Sequence, residues 1–335
     1  MALVPMRVLL DEAAKGKYAL GAYNVNNMEQ IQAIMAAAQE TKSPVIIQAS
    51  RGALKYSNFT YLRHLMLAAV EENPDIPLAM HLDHGNSLET CKIAIGLGFT
   101  SVMIDGSLRE DSKTPTTYEE NLEVTLSVID YARPLGVTVE AELGTLGGIE
   151  DGVGSGQVNL TDPDQAVKFV ERTKVDALAV AIGTSHGAYK FKEEPRLALD
   201  LVKEINRRIP DTALVMHGSS SVPQELVEQV NRYGGNMPNA RGVPMNAIQS
   251  VIPYGVRKVN IDTDGRMAIT SAIRKVFVES PEKFDPRDYL GPARTALTEL
   301  VAQKMRDLGT AGHAGDIEQK SLDDMIEFYK QNGLI

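Results

Sequence analysis

Residues 77–87 read PLAMHLDHGNS, an apolar run that ends abruptly in Asp83 and His84 with a glycine directly behind them. The same pattern recurs in residues 176–187, DALAVAIGTSHG, and in residues 212–221, TALVMHGSSS. Three of the six histidines therefore stand before a glycine at the end of an apolar run. Short apolar runs of this kind predict buried strands, and the polar residues predict where those strands end.

Short β-branched runs alternate with helix-period segments through most of the chain, which is typical of consecutive βα units. Eight units indicate the α/β class and a closed (β/α)8 barrel, with a doubly wound open sheet as the competing architecture. The predicted strands are residues 19–24, 44–49, 77–82, 100–104, 137–142, 176–182, 213–217 and 256–261. The predicted helices between them are residues 28–41, 58–72, 87–97, 117–133, 162–173, 194–208 and 222–231.

We expect residues 1–280 to form a catalytic barrel. Residues 281–335 have helical patterns without strands, and predict a C-terminal extension packed on the barrel or on a neighbouring subunit. Residues 233–255, rich in Gly, Pro and Asn, form an insertion before strand eight to which the sequence assigns no role. The predicted helix caps are Ser87, Asp162 and Asp264.

Charge and composition exclude several classes of function. The formal net charge is −10 and no basic stripe is present, which argues against a nucleic-acid partner. The single cysteine, Cys91, excludes a disulfide framework within the chain. The N-terminus lacks the apolar stretch of a signal peptide, and no segment reaches the about 18 apolar residues of a membrane span. We expect a cytoplasmic protein that binds neither membrane nor nucleic acid.

Polar residues mark the predicted end of every strand, where a barrel builds its active site. His84, His186 and His217 are suited to converge on one divalent metal, with zinc favoured over iron, cobalt or manganese. A strand-end histidine can also merely cap backbone groups, and His81 fits either a residue that orients a ligand or a core residue. The other polar strand-end residues are Asn24, Ser50, Asp83, Asp105, Glu140, Glu142, Asn260 and Asp262.

Three loops carry further signals. Residues 144–157, GTLGGIEDGVGSGQ, contain six glycines around Glu150, and predict either a lid over the site or a plain connector. Residues 217–225 and 260–266 follow strands seven and eight, where barrels usually bind phosphate, although their hydroxyls also suit helix capping. Lys190, four residues after His186, would add a cation to such a site.

Five motifs occur in order: LDHG (82–85), ELGTLGGIEDG (142–152), GTSHGAYKF (183–191), MHGSSS (216–221) and VNIDTD (259–264). Together they resemble the class II, metal-dependent fructose-1,6-bisphosphate aldolases. The insertion and the LGTAGHA stretch of the tail resemble the branch associated with the Calvin cycle. The resemblance implies a lyase that reversibly cleaves fructose 1,6-bisphosphate to dihydroxyacetone phosphate and glyceraldehyde 3-phosphate.

The resemblance also implies roles for single residues. Asp83 would exchange a proton with the aldehyde oxygen, or with the C4 hydroxyl in cleavage, and Glu150 would remove the C1 proton. The family often has two acids before DG, whereas Ile149 precedes Glu150 here.

The resemblance implies ligands as well. They are His84, His186 and His217 for zinc, and Asp105 and Glu142 for a second, labile divalent ion. The implied substrate residues are Gly187, Gly218, Ser219, Ser220, Asn260, Ile261, Asp262 and Thr263 for dihydroxyacetone phosphate, and Asn24 and Ser50 for the other half. A potassium or sodium ion is implied near Gly187 and Gly218, and the residue for the second phosphate is left open.

Elementary chemistry agrees with a metal site, because a divalent cation stabilises the enediolate charge left when a carbon–carbon bond beside a carbonyl breaks. A Schiff base on Lys258 is the covalent alternative.

Other substrates and functions remain open at this point. Tagatose 1,6-bisphosphate, which differs in the orientation of one hydroxyl, and sedoheptulose 1,7-bisphosphate are alternative substrates. A metal-dependent hydrolase usually offers an H-x-H pair on strand one, which ALGAYNV lacks. A non-catalytic scaffold would leave the polar strand ends unexplained, although we do expect a homo-oligomer, either a dimer or a tetramer.

Overall fold

The apolar runs form one closed parallel barrel with its strands in chain order, within a computed structural model that describes residues 2–148, 153, 159–188 and 197–335. This arrangement confirms the predicted (β/α)8 barrel and excludes the doubly wound open sheet. The strands are β1 (Leu20–Asn24), β2 (Val45–Ser50), β3 (Leu78–Gly85), β4 (Ser101–Ile104), β5 (Thr138–Leu143), β6 (Ala177–Val180), β7 (Ala213–Met216) and β8 (Val256–Ile261).

Alternate residues of each strand face opposite sides of the barrel wall, as the two-residue period of a strand requires. Outward residues such as Ile47 and Val102 join the large core between the strands and the helices. We call the end of the barrel at which the strands begin the lower end, and the end at which they finish the upper end. Inward residues at the lower end form a separate apolar cluster inside the barrel, which includes Leu20, Ile46 and Val215. Above that cluster the inward positions are polar, so the strand sequence itself places the polar groups at the upper end.

Helices surround the barrel and also close its lower end. The helices are α1 (Met6–Gly16), α2 (Met28–Thr41), α3 (Arg51–Ser57), α4 (Phe59–Glu72), α5 (Leu88–Gly96), α6 (Tyr118–Ala132), α7 (Pro163–Thr173), α8 (Leu199–Arg208), α9 (Gln224–Arg232), α10 (Met245–Val251), α11 (Thr263–Glu279), α12 (Pro286–Asp307) and α13 (Leu322–Gln331). Helix α1 lies across the lower end, where Val4 N donates to Leu78 O at 2.9 Å. None of the helices in the described part of the chain combines the length and the apolar character that a bilayer crossing requires.

Helix ends follow the predicted caps with one exception. The side chains of Ser87 and Asp162 accept hydrogen bonds from Thr90 N and Gln165 N, which confirms both caps. The cap predicted at Asp264 is wrong, because α11 begins at Thr263 and places this residue in its first turn. Helix α3 is an unpredicted element that begins where Ser50 Oγ accepts from Ala53 N at 3.1 Å.

The C-terminal helices pack on the barrel. Helix α12 lies along α2 and α11. Helix α13 brings Met325 and the fully buried Tyr329 into the apolar cluster at the lower end. The insertion at 233–255 contains α10 and passes beside the loop after β7, where Val243 N donates to Ser220 O at 3.1 Å. It therefore lies next to the upper end of the barrel.

Candidate functional site

A cleft opens at the upper end of the barrel, where the strands finish. Its position follows from the parallel sheet, because all the carboxyl ends of the strands meet there. The predicted residues that line it are Asn24, Ser50, Asp83, His84, His186, His217, Gly218, Ser219, Ser220, Asn260 and Asp262. Arg51 and Gly52 line it as well and were not predicted, and so does Val153, which belongs to the loop 144–157 predicted as a lid or a connector.

The three strand-end histidines meet in this cleft. The ring centroid of His84 lies 5.1 Å from that of His186 and 4.6 Å from that of His217, and both contacts are edge-to-face. All three side chains are buried. His84 is thus a neighbour of two rings that lie more than a hundred positions away along the chain. Donor atoms of His84, His217 and Asp83 lie within 4.8 Å of one another.

Carboxylates behind two of the rings decide which nitrogens face each other. Asp105 Oδ2 lies 3.1 Å from His84 Nδ1, and Glu140 Oε1 lies 2.7 Å from His217 Nε2. A carboxylate accepts a hydrogen bond there, so each ring presents its other nitrogen to the cleft. These nitrogens, His84 Nε2 and His217 Nδ1, are only 3.0 Å apart. Two lone pairs at that distance repel each other, and a proton or a metal ion would relieve this repulsion. Asn260 Nδ2 also lies 3.0 Å from His217 Nδ1.

The charges around the rings suit a metal ion in that position. Burial, together with the charges of His84 and Lys258, holds the pKa of His217 well below its usual value, so this ring is a neutral donor at pH 7. Burial also opposes the charge on His84, but the carboxylates of Asp83 and Asp105 raise the pKa of that imidazole to about 10. The carboxylates therefore favour a positive charge at this position, and the residues fit a divalent cation.

His84 occupies an unusual backbone position. Its φ is 49°, in the left-handed region that residues other than glycine rarely adopt, and the pairing of β3 with β4 shifts register between Leu82 and Gly85. A Cβ on Gly85 would lie 2.5 Å from Met103 O, so only glycine fits behind the bulge. Arg51 Nε donates to His84 O at 3.2 Å and holds the bulged backbone from the side of α3.

Asp83 is held between two amides. Asn24 Nδ2 donates to Asp83 Oδ2 at 2.8 Å, and Asn260 Nδ2 donates to Asp83 Oδ1 at 3.0 Å. Gln48 Nε2 donates in turn to Asn24 Oδ1 at 2.6 Å. Burial opposes ionisation of Asp83, but the charge of the nearby His84 lowers its pKa, so the carboxylate is ionised and has a set orientation.

Lys258 lies below the histidines and is fully buried. Its Nζ is 3.0 Å from Glu140 Oε2 and donates to Asn260 Oδ1 at 2.7 Å. His81 lies beside the same carboxylate, with Nε2 3.5 Å from Glu140 Oε2. The ammonium group thus neutralises the glutamate that orients His217, which gives Lys258 a clear role without a Schiff base.

Asp105 and Glu142 lie on the other side of His84, and one donor atom of each of the three residues lies within 4.8 Å of the others. Burial and the neighbouring Asp105 raise the pKa of Glu142 well above its usual value. Glu142 Oε2 is buried and has no hydrogen-bond partner among the described residues. A pair of buried acids with an unused oxygen fits a second cation position.

The loops after β6, β7 and β8 form the opposite wall. Gly218, with φ 59°, packs so closely on the chain that a Cβ would lie 2.6 Å from Ser185 O. Ser220 Oγ accepts from Asp262 N at 3.2 Å and links two of the loops. Asp262 forms a bidentate ion pair with Arg266, at 2.6 and 2.7 Å.

Some predicted residues lie elsewhere. Gly187 and Thr263 lie beside the cleft rather than in its lining, and Ile261 packs its side chain in the core behind β8. The predictions for Glu150 and Lys190 fall outside the described residues. Sequence reasoning gave no role to Arg51 or Glu140, although the position of Glu140 on β5, two residues before Glu142, was a usable signal.

Comparison with known proteins agrees with this geometry. The sequence pattern of the fructose-bisphosphate aldolase class-II family matches residues 4–313. A fructose-bisphosphate aldolase of Giardia intestinalis is 58% identical over 98% of this chain and 100% of its own length. A fructose-bisphosphate aldolase of Nostoc commune is 54% identical, over 100% of this chain and 97% of its own. The crystal structure of the YdjI aldolase from Escherichia coli K12 has a TM-score of 0.74 and 31% identity, and the match covers 93% of this chain and 99% of that one. This chain therefore belongs to the class II fructose-bisphosphate aldolase family.

Proposed function

We propose that the protein is a zinc-dependent aldolase that reversibly cleaves fructose 1,6-bisphosphate to dihydroxyacetone phosphate and glyceraldehyde 3-phosphate. The supporting observation is the meeting of His84, His186 and His217 beside an oriented Asp83. Those histidines would hold the metal, with Glu140 and Asp105 orienting two of the rings. Zinc, when bound, would act as a Lewis acid for the negative charge that forms as the carbon–carbon bond breaks.

Asp83 would act as the acid–base residue. In cleavage its ionised carboxylate would accept the proton of the C4 hydroxyl, and in condensation the acid would return that proton to the aldehyde oxygen. The amides of Asn24 and Asn260 bind its two oxygens separately, so the carboxylate cannot rotate away from the cleft. Glu150 is proposed from its motif as the base that removes the C1 proton.

The remaining residues are proposed to bind the substrate and further ions. Asp105 and Glu142 would hold the second divalent ion, and a potassium or sodium ion would lie near Gly187 and Gly218. The residues proposed for dihydroxyacetone phosphate are Gly187, Gly218, Ser219, Ser220, Asn260, Ile261, Asp262 and Thr263, with Asn24 and Ser50 at the other half. Lys190 would add a cation to the substrate site. A cytoplasmic homo-oligomer, with residues 281–335 as its helical extension, stays a prediction.

Metal removal tests the proposal. Dialysis against a chelator is expected to abolish cleavage of fructose 1,6-bisphosphate, because the histidines and Asp83 cannot stabilise the developing charge alone, and zinc or cobalt is expected to restore it. Borohydride added with substrate is expected to trap no adduct on Lys258, whose ammonium is paired with Glu140. Full cleavage by metal-free protein, or a borohydride adduct, would overturn the metal mechanism.

The same cleavage assay identifies which sugar bisphosphate the protein prefers as its substrate. Fructose and tagatose 1,6-bisphosphate differ only in the orientation of the C4 hydroxyl, which is the group that Asp83 would contact. We expect a higher kcat/KM for the fructose compound. A clear preference for tagatose 1,6-bisphosphate would keep the chemistry and change the substrate.

A further inference from the structure

A further buried carboxylate, that of Asp264, lies outside the cleft, behind the loop of residues 219–222 that follows β7. Asp264 is fully buried. It accepts hydrogen bonds from Ser221 N at 3.0 Å, from Ser221 Oγ at 2.9 Å and from Val222 N at 2.7 Å. Its side chain therefore holds two successive peptide N–H groups of the loop from the side away from the cleft.

The loop needs such a partner because of its backbone. Val222 has φ 48°, a left-handed conformation in which a β-branched residue is a genuine outlier. The Asp264 carboxylate binds the N–H of this same residue, so the strained peptide is held by the strongest available acceptor. Without it, the loop would relax to an ordinary conformation and move Ser219 and Ser220, which line the cleft.

A cation from the C-terminal region completes the arrangement. Lys304, on α12, is itself buried, and its Nζ lies 3.0 Å from Asp264 Oδ2 and donates to Ser221 Oγ at 2.5 Å. The insertion covers the same loop, since a Cβ on Gly242 would lie 2.2 Å from Ser220 O. Helix α12 and the insertion, which both lie outside the regular βα repeat, thus contact the same loop of residues 219–222.

We propose that Lys304 and Asp264 are positioning residues that hold residues 219–222 in the conformation that binds a substrate phosphate. Neither side chain lines the cleft, so both act through Ser219 and Ser220. Lys304 neutralises the buried Asp264, and Asp264 sets the loop backbone. The inference rests on the proposed function, because it assigns a phosphate group to this loop.

The experiment measures by calorimetry how tightly the zinc-loaded full chain binds inorganic phosphate, which is the probe. Lys304→Met is expected to weaken phosphate binding roughly tenfold, the effect of losing one well-placed hydrogen-bonding interaction. The KM for fructose 1,6-bisphosphate should rise by a similar factor, while kcat and zinc content stay near wild type. Arg306→Met is the matched control, because Arg306 lies two residues away on α12 and pairs with Glu40 at the surface.

Three further variants, Ser221→Ala, Asp264→Asn and the double variant Lys304→Met/Asp264→Asn, separate positioning from general damage. Ser221→Ala removes only the hydroxyl shared by Lys304 and Asp264, and is expected to weaken phosphate binding about threefold with unchanged thermal stability. Lys304→Met combined with Asp264→Asn should lose no more affinity than the worse single variant, because the two side chains act as one unit. If Lys304→Met does not fold, the phosphate affinity of Ser221→Ala alone tests the positioning role.

The outcomes distinguish this inference from the proposed function. Wild-type phosphate affinity in folded Lys304→Met, or in Ser221→Ala, would refute the positioning role and leave the aldolase proposal intact. If the wild-type protein binds phosphate and cleaves no sugar bisphosphate, the aldolase proposal fails, and the phosphate affinities of the variants still decide the inference.

Discussion

At the residue scale, the partner behind each imidazole determines what the imidazole does. Glu140 accepts from His217 Nε2 and Asp105 from His84 Nδ1, which leaves two nitrogens 3.0 Å apart and facing the cleft. His64, by contrast, lies at the surface of α4 beside Arg63. Buried carboxylate partners therefore distinguish His84 and His217 from this surface histidine.

His217→Ala is expected to lose most of its bound zinc, because it removes a neutral nitrogen donor and leaves the Glu140 carboxylate without its imidazole partner. Metal content after gel filtration, measured by mass spectrometry, checks this. His64→Ala is the control and should keep a full complement of metal. Full zinc content in His217→Ala would exclude this residue as a ligand.

Glu150→Gln is expected to keep zinc and substrate binding while losing the exchange of the C1 proton of dihydroxyacetone phosphate with solvent. The amide has the size of the acid but is not a base. Proton exchange followed by NMR measures this step directly. Exchange at the wild-type rate would assign the base to another residue.

At the element scale, the bulge at the end of β3 places His84. A regular strand alternates its side chains, so Asp83 and His84 would face opposite sides of the wall. The register shift and the left-handed φ of His84 bring both into the cleft. Arg51, at the start of α3, binds the carbonyl of the strained residue and keeps the bulge in place.

Arg51→Met should therefore weaken zinc binding about tenfold, since the strained backbone of His84 loses a charged hydrogen-bond donor. Competition with a chromogenic chelator gives the affinity. The matched control is Arg63→Met, because Arg63 Nε donates in the same way to a carbonyl, Leu97 O at 2.9 Å, away from the cleft. Equal zinc affinity in the two variants would contradict the role of Arg51.

At the scale of the whole molecule, the two ends of the barrel are used differently. The upper end collects the polar strand ends, whereas the lower end is closed by α1 and α13 around an apolar cluster. Tyr329 of α13 donates to Asp176 Oδ2 at 3.0 Å, and Asp176 also pairs with Arg7 at 2.8 Å. These contacts join both ends of the chain to the lower face.

Tyr329→Phe is expected to lower the free energy of unfolding by about 1–2 kcal/mol, because it removes one buried hydrogen bond to a charged acceptor. The cleavage rate should stay at the wild-type value, since the lower face of a barrel serves stability. Chemical denaturation measures the free energy of unfolding, and a kcat measurement checks the cleavage rate. Tyr131→Phe, at a partly exposed position on α6, is the control for loss of a tyrosine hydroxyl.

The sequence by itself determined the eight βα units, favoured the closed barrel over an open sheet and gave the set of polar residues at the strand ends, because strand period, helix period and strand ends are local properties of the chain. His84, His186 and His217 could be named on that basis alone. Closure of the sheet in chain order came from the tertiary structure. Only the tertiary structure decided the pairs that make the site work, such as Glu140 with His217, Arg51 with His84, and Lys304 with Asp264. Those pairs join residues far apart in the sequence, and they depend on barrel register, on one bulge and on side-chain direction. The cap predicted at Asp264 was wrong for this reason, since a residue that suits a helix end locally is used instead to bind a neighbouring loop.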